Sequence, residues 1–334
     1  MGASQEARFE WRYRLNPAGP AWSWFVYEGD SGAAVAMTSL FPRQMYVDGT
    51  LVTCGQVTHF VIDAGFRSLG PAVLLQRATF EPVNSGELAF CYDCPPHDQG
   101  MSTFVRLGMR ANCEVVRYAL LLRSDEYLSR KIGKAGWTRP LVATSNLLLS
   151  MRRKARLPDG VEICEHAGAF GEEFSSLDRL VPSSGTVRAS RSAENLNWRY
   201  REDPETVECA SNGDKGEYRV LVARRAGELL AFVVLFVVRK DGIASIADLF
   251  GSQAPEVRAG LLESAIDICR QDDLHAVHAF CSDGSELESL FKGTGFRPRE
   301  RNARVVAYEN PENRNGKVLN PNLRWAFGHV EVVF

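Results

Sequence analysis

The strongest constraint in this sequence is an internal repeat. Trp11-Arg12-Tyr13-Arg14 followed by Pro17 recurs as Trp198-Arg199-Tyr200-Arg201 followed by Pro204, a shift of 187 residues. At the same shift Ala72, Leu74, Leu75 and Ala78 fall on Ala259, Leu261, Leu262 and Ala265. Further on, Cys94, Ser102, Phe104, Gly108 and Arg110 fall on Cys281, Ser289, Phe291, Gly295 and Arg297. One offset held over three separated segments implies two diverged copies of one unit. Between the first two segments the register drifts and returns, as changes in loop length produce. A chain of 334 residues, 45% hydrophobic and 24% charged, is long enough and apolar enough for a core in each copy.

Each copy alternates strands with helices. In the second, VEICEHA reads as a short strand, FGEEFSSLDRLV has helical apolar spacing, and SAENLNWRY is a helix capped by Ser192. The run from Glu217 is broken at Ala226-Gly227 and Asp241-Gly242, which predicts a hairpin meander. A helix (APEVRAGLLESAIDICRQ), a buried strand (AVHAFCS) and a helix closed by Gly295 follow. The first copy starts at the equivalent of the second copy's Trp-Arg-Tyr, so it lacks an opening strand and helix. The C-terminal HVEVVF is expected to complete its sheet. The fold class is therefore α/β, with mixed α+β sheets in two tandem domains. The division expected is 1–128 for the first, 129–158 for a basic linker or helix, and 159–334 for the second.

Chemistry concentrates in the first copy. Arg67-Ser68-Leu69-Gly70-Pro71-Ala72 is an R-x-x-G-x-A turn between an apolar strand and an apolar helix. Such a turn directs successive backbone N–H groups into one concavity at a helix N-terminus, a site suited to a pyrophosphate. Gly70 lets the backbone approach phosphate oxygens, and Pro71 pre-sets the first helical turn. This strand-loop-helix resembles motif A of the GNAT superfamily of acyl-CoA N-acyltransferases, [R/Q]-x-x-G-x-[G/A]. Upstream, Phe60-x-Ile62-x-Ala64-x-Phe66-Arg67 is similar to the family's L-x-V-x-P-x-[YF]-R, with Ala64 in place of proline. Downstream, Phe104-x-x-x-Gly108-Met109 resembles the Y-x-x-x-G-F ending. The resemblance implies that acetyl-CoA or another acyl-CoA is the co-substrate. Arg67, Ser68, Leu69, Gly70 and Ala72 would hold the pyrophosphate and the Ile62 backbone the pantetheine arm. In the second copy Ala254-Pro255-Glu256-Val257 replaces Arg-Ser-Leu-Gly, so the glycine is lost and a carboxylate faces the phosphate position. Tandem GNAT-fold proteins such as mycothiol synthase-like enzymes and the Fem peptidyltransferases pair one working copy with a degenerate one in this way.

Amine acylation needs a base and donors for the thioester carbonyl. The family's phenolic acid falls on Phe104, which has no proton to give. His97 sits where the family commonly has Asn, open to a role as acid or donor to the sulfur, or to a surface helix cap. His59 and Asp63, four residues apart on one strand face, suit a base and its orienting group if that face meets the acceptor, and a satisfied buried histidine if it does not. Asp93, at the end of the other strand, is the remaining candidate. Cys91-x-x-Cys94-x-x-His97 invites a metal reading, but residues three apart on a strand point to opposite faces, so no metal is expected.

The reading that follows is an acyl-CoA-dependent N-acyltransferase acting on a small-molecule or sugar amine. Two alternatives stand beside it: an acyl-carrier-protein- or aminoacyl-tRNA-dependent enzyme, and a non-catalytic GNAT-fold binding protein. Between Arg130 and Arg156 there are eight Lys/Arg and no acid, a segment that would suit an acyl carrier protein. A net charge of −2 argues against nucleic acid. No run of residues is apolar enough to span a membrane, the eight cysteines form no compact framework, and no signal profile opens the chain. A cytoplasmic location is the expectation.

Overall fold

Two hairpin turns set the registers on which the sheet is built. Asp48-Gly49 and Ala226-Gly227 both take positive φ at each central residue, the conformation that matches the twist of tightly linked strands. The first joins β2 (Ala34–Val47) to β3 (Thr50–Ile62), after β1 (Trp22–Tyr27) has paired along the outer edge of β2. The structure, a computed structural model, describes residues 5–67, 69–95, 98–123, 156–204, 216–301, 303–312, 318–328 and 331.

In the first half a short helix α1 (Gln5–Phe9) continues as a π-turn, Glu10–Arg14, ahead of β1. Helix α2 (Leu69–Asn84) follows β3. Then come β4 (Cys91–Asp93), α3 (Asp98–Arg106) and β5 (Arg110–Leu121). The second half runs β6 (Val161–Glu165), α4 (Glu172–Leu180), β7 (Thr186–Ala189), α5 (Ala193–Tyr200), β8 (Glu217–Arg225), β9 (Glu228–Val238) and β10 (Ile243–Gly251). It continues with α6 (Pro255–Gln271), β11 (Ala276–Ser282), α7 (Glu286–Gly293), β12 (Arg297–Pro298), β13 (Ala303–Tyr308) and β14 (Arg324–Trp325). As the repeat predicts, α2 and α6 correspond, as do α3 and α7. Ser192 caps α5 by accepting from the Asn195 N–H at 3.3 Å.

The halves do not keep separate sheets. Among the described residues one sheet runs β14-β7-β2-β3-β4-β13-β5-β11-β10-β9-β8-β6. The last strand of each copy has crossed over: β5 pairs with β11 of the second half, and its equivalent β13 pairs with β4 of the first. The two exchanged strands then pair antiparallel with each other. The cores are exchanged too. Val116, Tyr118 and Leu120 of β5 are buried among Leu261, Ile266 and Phe291 of the second half. Val306 of β13 lies among Leu40, Phe80 and Phe104 of the first. Beyond β1, the outer edge of β2 is covered by β7 of the second half, which pairs with Met45, Tyr46 and Val47. Of the C-terminal HVEVVF, expected to fill that place, only Glu331 is described, as are only the last residues of the basic linker.

The repeat motif explains itself at the junction. Trp11 Nε1–H donates to the Trp198 carbonyl at 2.8 Å, and Trp198 Nε1–H donates to the Trp11 carbonyl at 3.0 Å. Their rings stack with centroids 5.1 Å apart. This is the self-complementary contact of a two-fold interface, made within one chain.

Since each core needs a strand from the other half, unfolding is expected to be one transition, with fluorescence and circular dichroism coincident. Separated transitions would contradict this. Trp11→Phe and Trp198→Phe should each cost about 1–3 kcal/mol, through a lost donor and an orphaned carbonyl. The double variant should cost less than the sum of the two, as a double-mutant cycle in urea would measure.

Candidate active site

A gap opens in the first half because two parallel strands pair only briefly. β3 and β4 meet at Gly55 with Cys91 and at Gln56 with Tyr92, and then diverge. The position of Gly55 is tight: a Cβ there would lie 2.6 Å from Leu40 Cδ1. Beyond it β3 carries a bulge, its register against β2 slipping between Met37↔Val61 and Ser39↔Thr58. His59 sits in that bulge with φ +51°, a left-handed conformation costly to a residue with a side chain. The equivalent strand of the second half, β10, bulges at the corresponding place, between Ile246 and Asp248.

The Tyr of each Trp-Arg-Tyr reaches the bulge of its own half. Tyr200 Oη–H donates to the Ala247 carbonyl at 3.4 Å. Tyr13 Oη lies 2.8 Å from His59 Nδ1 and 3.5 Å from Ser39 Oγ, and its ring stacks on the imidazole at 6.0 Å. Burial, with the Arg12 guanidinium adding to it, lowers the His59 pKa and favours a neutral ring. If Tyr13 donates to Ser39 and accepts from Nδ1–H, Nε2 is left with a free lone pair. Tyr13 is the functional candidate missed in the sequence. Its signal in the sequence is the repeated Trp-Arg-Tyr motif, which marks the repeat but not the chemistry.

Asp63 does not share a face with His59 as strand alternation predicted, because the bulge breaks the alternation between them. It is exposed beyond the end of β3, where Oδ1 accepts the Gly65 N–H at 3.0 Å and starts a 3-10 turn over Ala64–Phe66. That turn comes earlier than expected, so the helix does too. Leu69 already opens α2, and Gly70, Pro71 and Ala72 belong to its first turn and not to a loop. Arg67 is exposed, and its Nε donates to the Ile62 carbonyl at 3.3 Å, the backbone expected to face the pantetheine. Ser68 and His97 lie outside the described residues. Phe104 is buried and meets Phe60 edge-on at 5.0 Å. Cys91 and Cys94 pack into different cores on opposite faces of β4. Among the described residues no group of three His, Cys, Asp or Glu is placed to hold a metal ion.

Two buried oxygens at the point of divergence, Gln56 Oε1 and Thr58 Oγ1, have no hydrogen-bond partner among the described residues. Such atoms in a folded interior ask for a ligand or water. The first turn of α2 holds no acid, whereas that of α6 holds Glu256. Val257, which stands where the first copy has Gly70, is 2% exposed and part of the core. In the second copy this position is therefore a packing one.

Asp93, one step past the last residue of β4 that pairs with β3, is the other titratable group beside the gap. Burial raises its carboxyl pKa to about 7, opposed by the Cys94 N–H that Oδ1 accepts at 2.7 Å. The folded chain thus holds this proton to higher pH than the unfolded one. The resulting stability is fully present below about pH 4 and is lost as pH rises through about 7. Asp93→Asn should flatten the fall of Tm across that window. Parallel Tm–pH curves for variant and wild type would show that the carboxyl is already ionised in the fold.

No protein-family model matches the sequence, and no curated protein matches it. Solved structures do. A conserved protein of unknown function and probable N-acyltransferase from Enterococcus faecalis V583 aligns with a TM-score of 0.60 at 13% identity, over 91% of this chain and 64% of that one. A GCN5-related N-acetyltransferase from Anabaena variabilis aligns at 0.59 and 11% identity, over 91% and 65%. This chain thus spans just under two thirds of the length of both. A tandem GNAT protein from the clavulanic acid biosynthesis pathway aligns at 0.50 and 13% identity, over 88% of this chain and 84% of that one. Parallel strands splaying at a bulge, a helix entering behind them and the whole arrangement given twice make this the tandem fold of the GNAT N-acetyltransferases.

Proposed function

We propose that the chain transfers an acyl group from an acyl-CoA to an amine, and that the first half does so. The unit 1–128 would carry the donor site and the unit 159–334 would support it, with β5 and β13 exchanged between them. The observation that carries this reading is the divergence of β3 and β4 next to buried acceptors with no partner among the described residues, ahead of a helix whose first turn contains Gly70 and no acid. Pyrophosphate would lie on the backbone N–H groups around Leu69, Gly70 and Ala72, with Arg67 and Ser68 as further donors. Three large apolar side chains, Val61, Leu74 and Val105, are exposed on the elements flanking the opening, where an acyl-CoA would cover them.

The chemistry would use two neutral groups. His59 Nε2 takes a proton from the amine as its nitrogen attacks the thioester carbon. The C–N bond forms, the C–S bond breaks, and Asp93 gives its proton to the departing thiolate. A histidine held below its ordinary pKa and a carboxyl raised to about 7 are in the right states for this over one range of pH. Asp93 thereby fills the role left empty by Phe104. His97 remains a candidate donor to the sulfur. The acceptor would be a small-molecule or sugar amine.

The test is a pH–rate profile for acetyl transfer to an amine panel. A bell is expected, with an acidic limb below the ordinary histidine value and an alkaline limb near 7. His59→Gln should lower kcat about 10²–10⁴-fold and remove the acidic limb, and Asp93→Asn should remove the alkaline one. Tyr13→Phe should shift the acidic limb with a smaller loss. Profiles unchanged in both His59 and Asp93 variants would refute the assignment of these two groups.

A further inference from the structure

The second half keeps a chamber where its own strands, β10 and β11, part. A cavity of about 510 Å³ is bounded by Phe250 of β10, Ser285 ahead of α7, Thr186 of β7, Arg324 and Trp325 of β14, and Cys113 of the exchanged strand β5. That volume is within the range of small-molecule sites, roughly 300–1,000 Å³. Both copies of the repeat contribute to its wall.

A donor arm would have to pass between α6 and α7, and that passage is barred. A second cavity, of about 700 Å³, lies between these helices. Gln253, Arg258 and Glu286 line both spaces, so they form the partition. Arg258 Nη2–H donates to Glu286 Oε2 at 2.9 Å, tying the first turn of one helix to the first turn of the other. With Glu256 at the start of α6 as well, a phosphate-bearing ligand entering from that side meets carboxylates.

The remaining charges on the wall differ in one respect. Arg188 is paired with Asp178, Arg191 with Asp248 and Glu331, and Asp283 with Arg301. Arg324 is exposed, and its guanidinium makes no ion pair among the described residues. One available guanidinium matches one carboxylate through its planar pair of donors. A dianion would bring its second charge toward Asp283 and Glu286. We propose that this chamber binds a small organic monoanion, a carboxylate on an apolar body, with the carboxylate at Arg324 and the body against Phe250 and Trp325. The proposal stands independently of the reading of the first cleft.

The test is calorimetric titration of the full-length protein with monocarboxylates from acetate to 4-phenylbutyrate, the matching neutral amides, inorganic phosphate and CoA. Affinity should rise with the apolar body and exceed that of the matching amide at least about tenfold, the scale of one charge-assisted contact. Arg324→Gln, a change at an exposed residue, should erase the preference for acid over amide. Gly70→Glu, in the first cleft, should leave it intact. The proposal is overturned if no carboxylate in the series binds, if acids and amides bind alike, or if Arg324→Gln changes nothing. Displacement of the carboxylate by CoA or phosphate in the Gly70→Glu protein would also overturn it, because the chamber would then be a phosphate site.

Discussion

The contact between Trp11 and Trp198 is the point around which this molecule is arranged. Each indole gives its proton to the other's carbonyl, so neither ring is satisfied without its repeat-mate. Two buried hydrogen bonds of about 1 kcal/mol each, with a stacking term of about 0.5–1.5 kcal/mol, would be modest in isolation. Their consequence is geometric. They fix the two copies about an approximate two-fold axis, and that axis brings β5 and β13 side by side. Once these strands lie together, each completes the sheet of the opposite copy, and each core contains a strand of the other half.

The same motif then reaches the chemistry. Two residues after each Trp, a Tyr goes to the bulge of the strand that opens the cleft. In the second half the hydroxyl meets a backbone carbonyl of the bulge. In the first half it meets an imidazole held in a left-handed backbone conformation. One architectural device thus carries a structural role in one copy and positions a titratable group in the other. The duplication permits that division. In the second copy Val257 packs at the position equivalent to Gly70, Arg258 and Glu286 bridge the helices, and a chamber lies behind them.

Much of the fold was legible in the residues. The offset of 187, the hairpin turns and the amphipathic helices all follow from local chemistry and period, and the elements fall where they predict. Strand exchange was not legible, because β5 and β13 present the same apolar alternation whichever sheet receives them. The bulge at His59 was equally hidden: nothing in VTHFVID marks the extra residue, and without it the alternation that placed Asp63 beside His59 looked sound. The R-x-x-G-x-A pattern emphasises glycine and suggests a loop at Leu69, whereas Pro71 favours a helix already under way. Asp93 was found as a residue, but the burial that raises its pKa belongs to tertiary packing.

The account depends on the first cleft being the donor site, and stoichiometry with acetyl-CoA measures this most directly. Calorimetric titration is predicted to give one acetyl-CoA per chain. Gly70→Glu should weaken that binding by at least about 2–3 kcal/mol, from lost charge-assisted hydrogen bonds and repulsion of the phosphates, with little change in the Tm of the free protein. Glu256→Ala, in the equivalent turn of the second half, should leave both affinity and stoichiometry as they were. Two equivalent sites, or unchanged binding in the Gly70→Glu protein, would contradict the account.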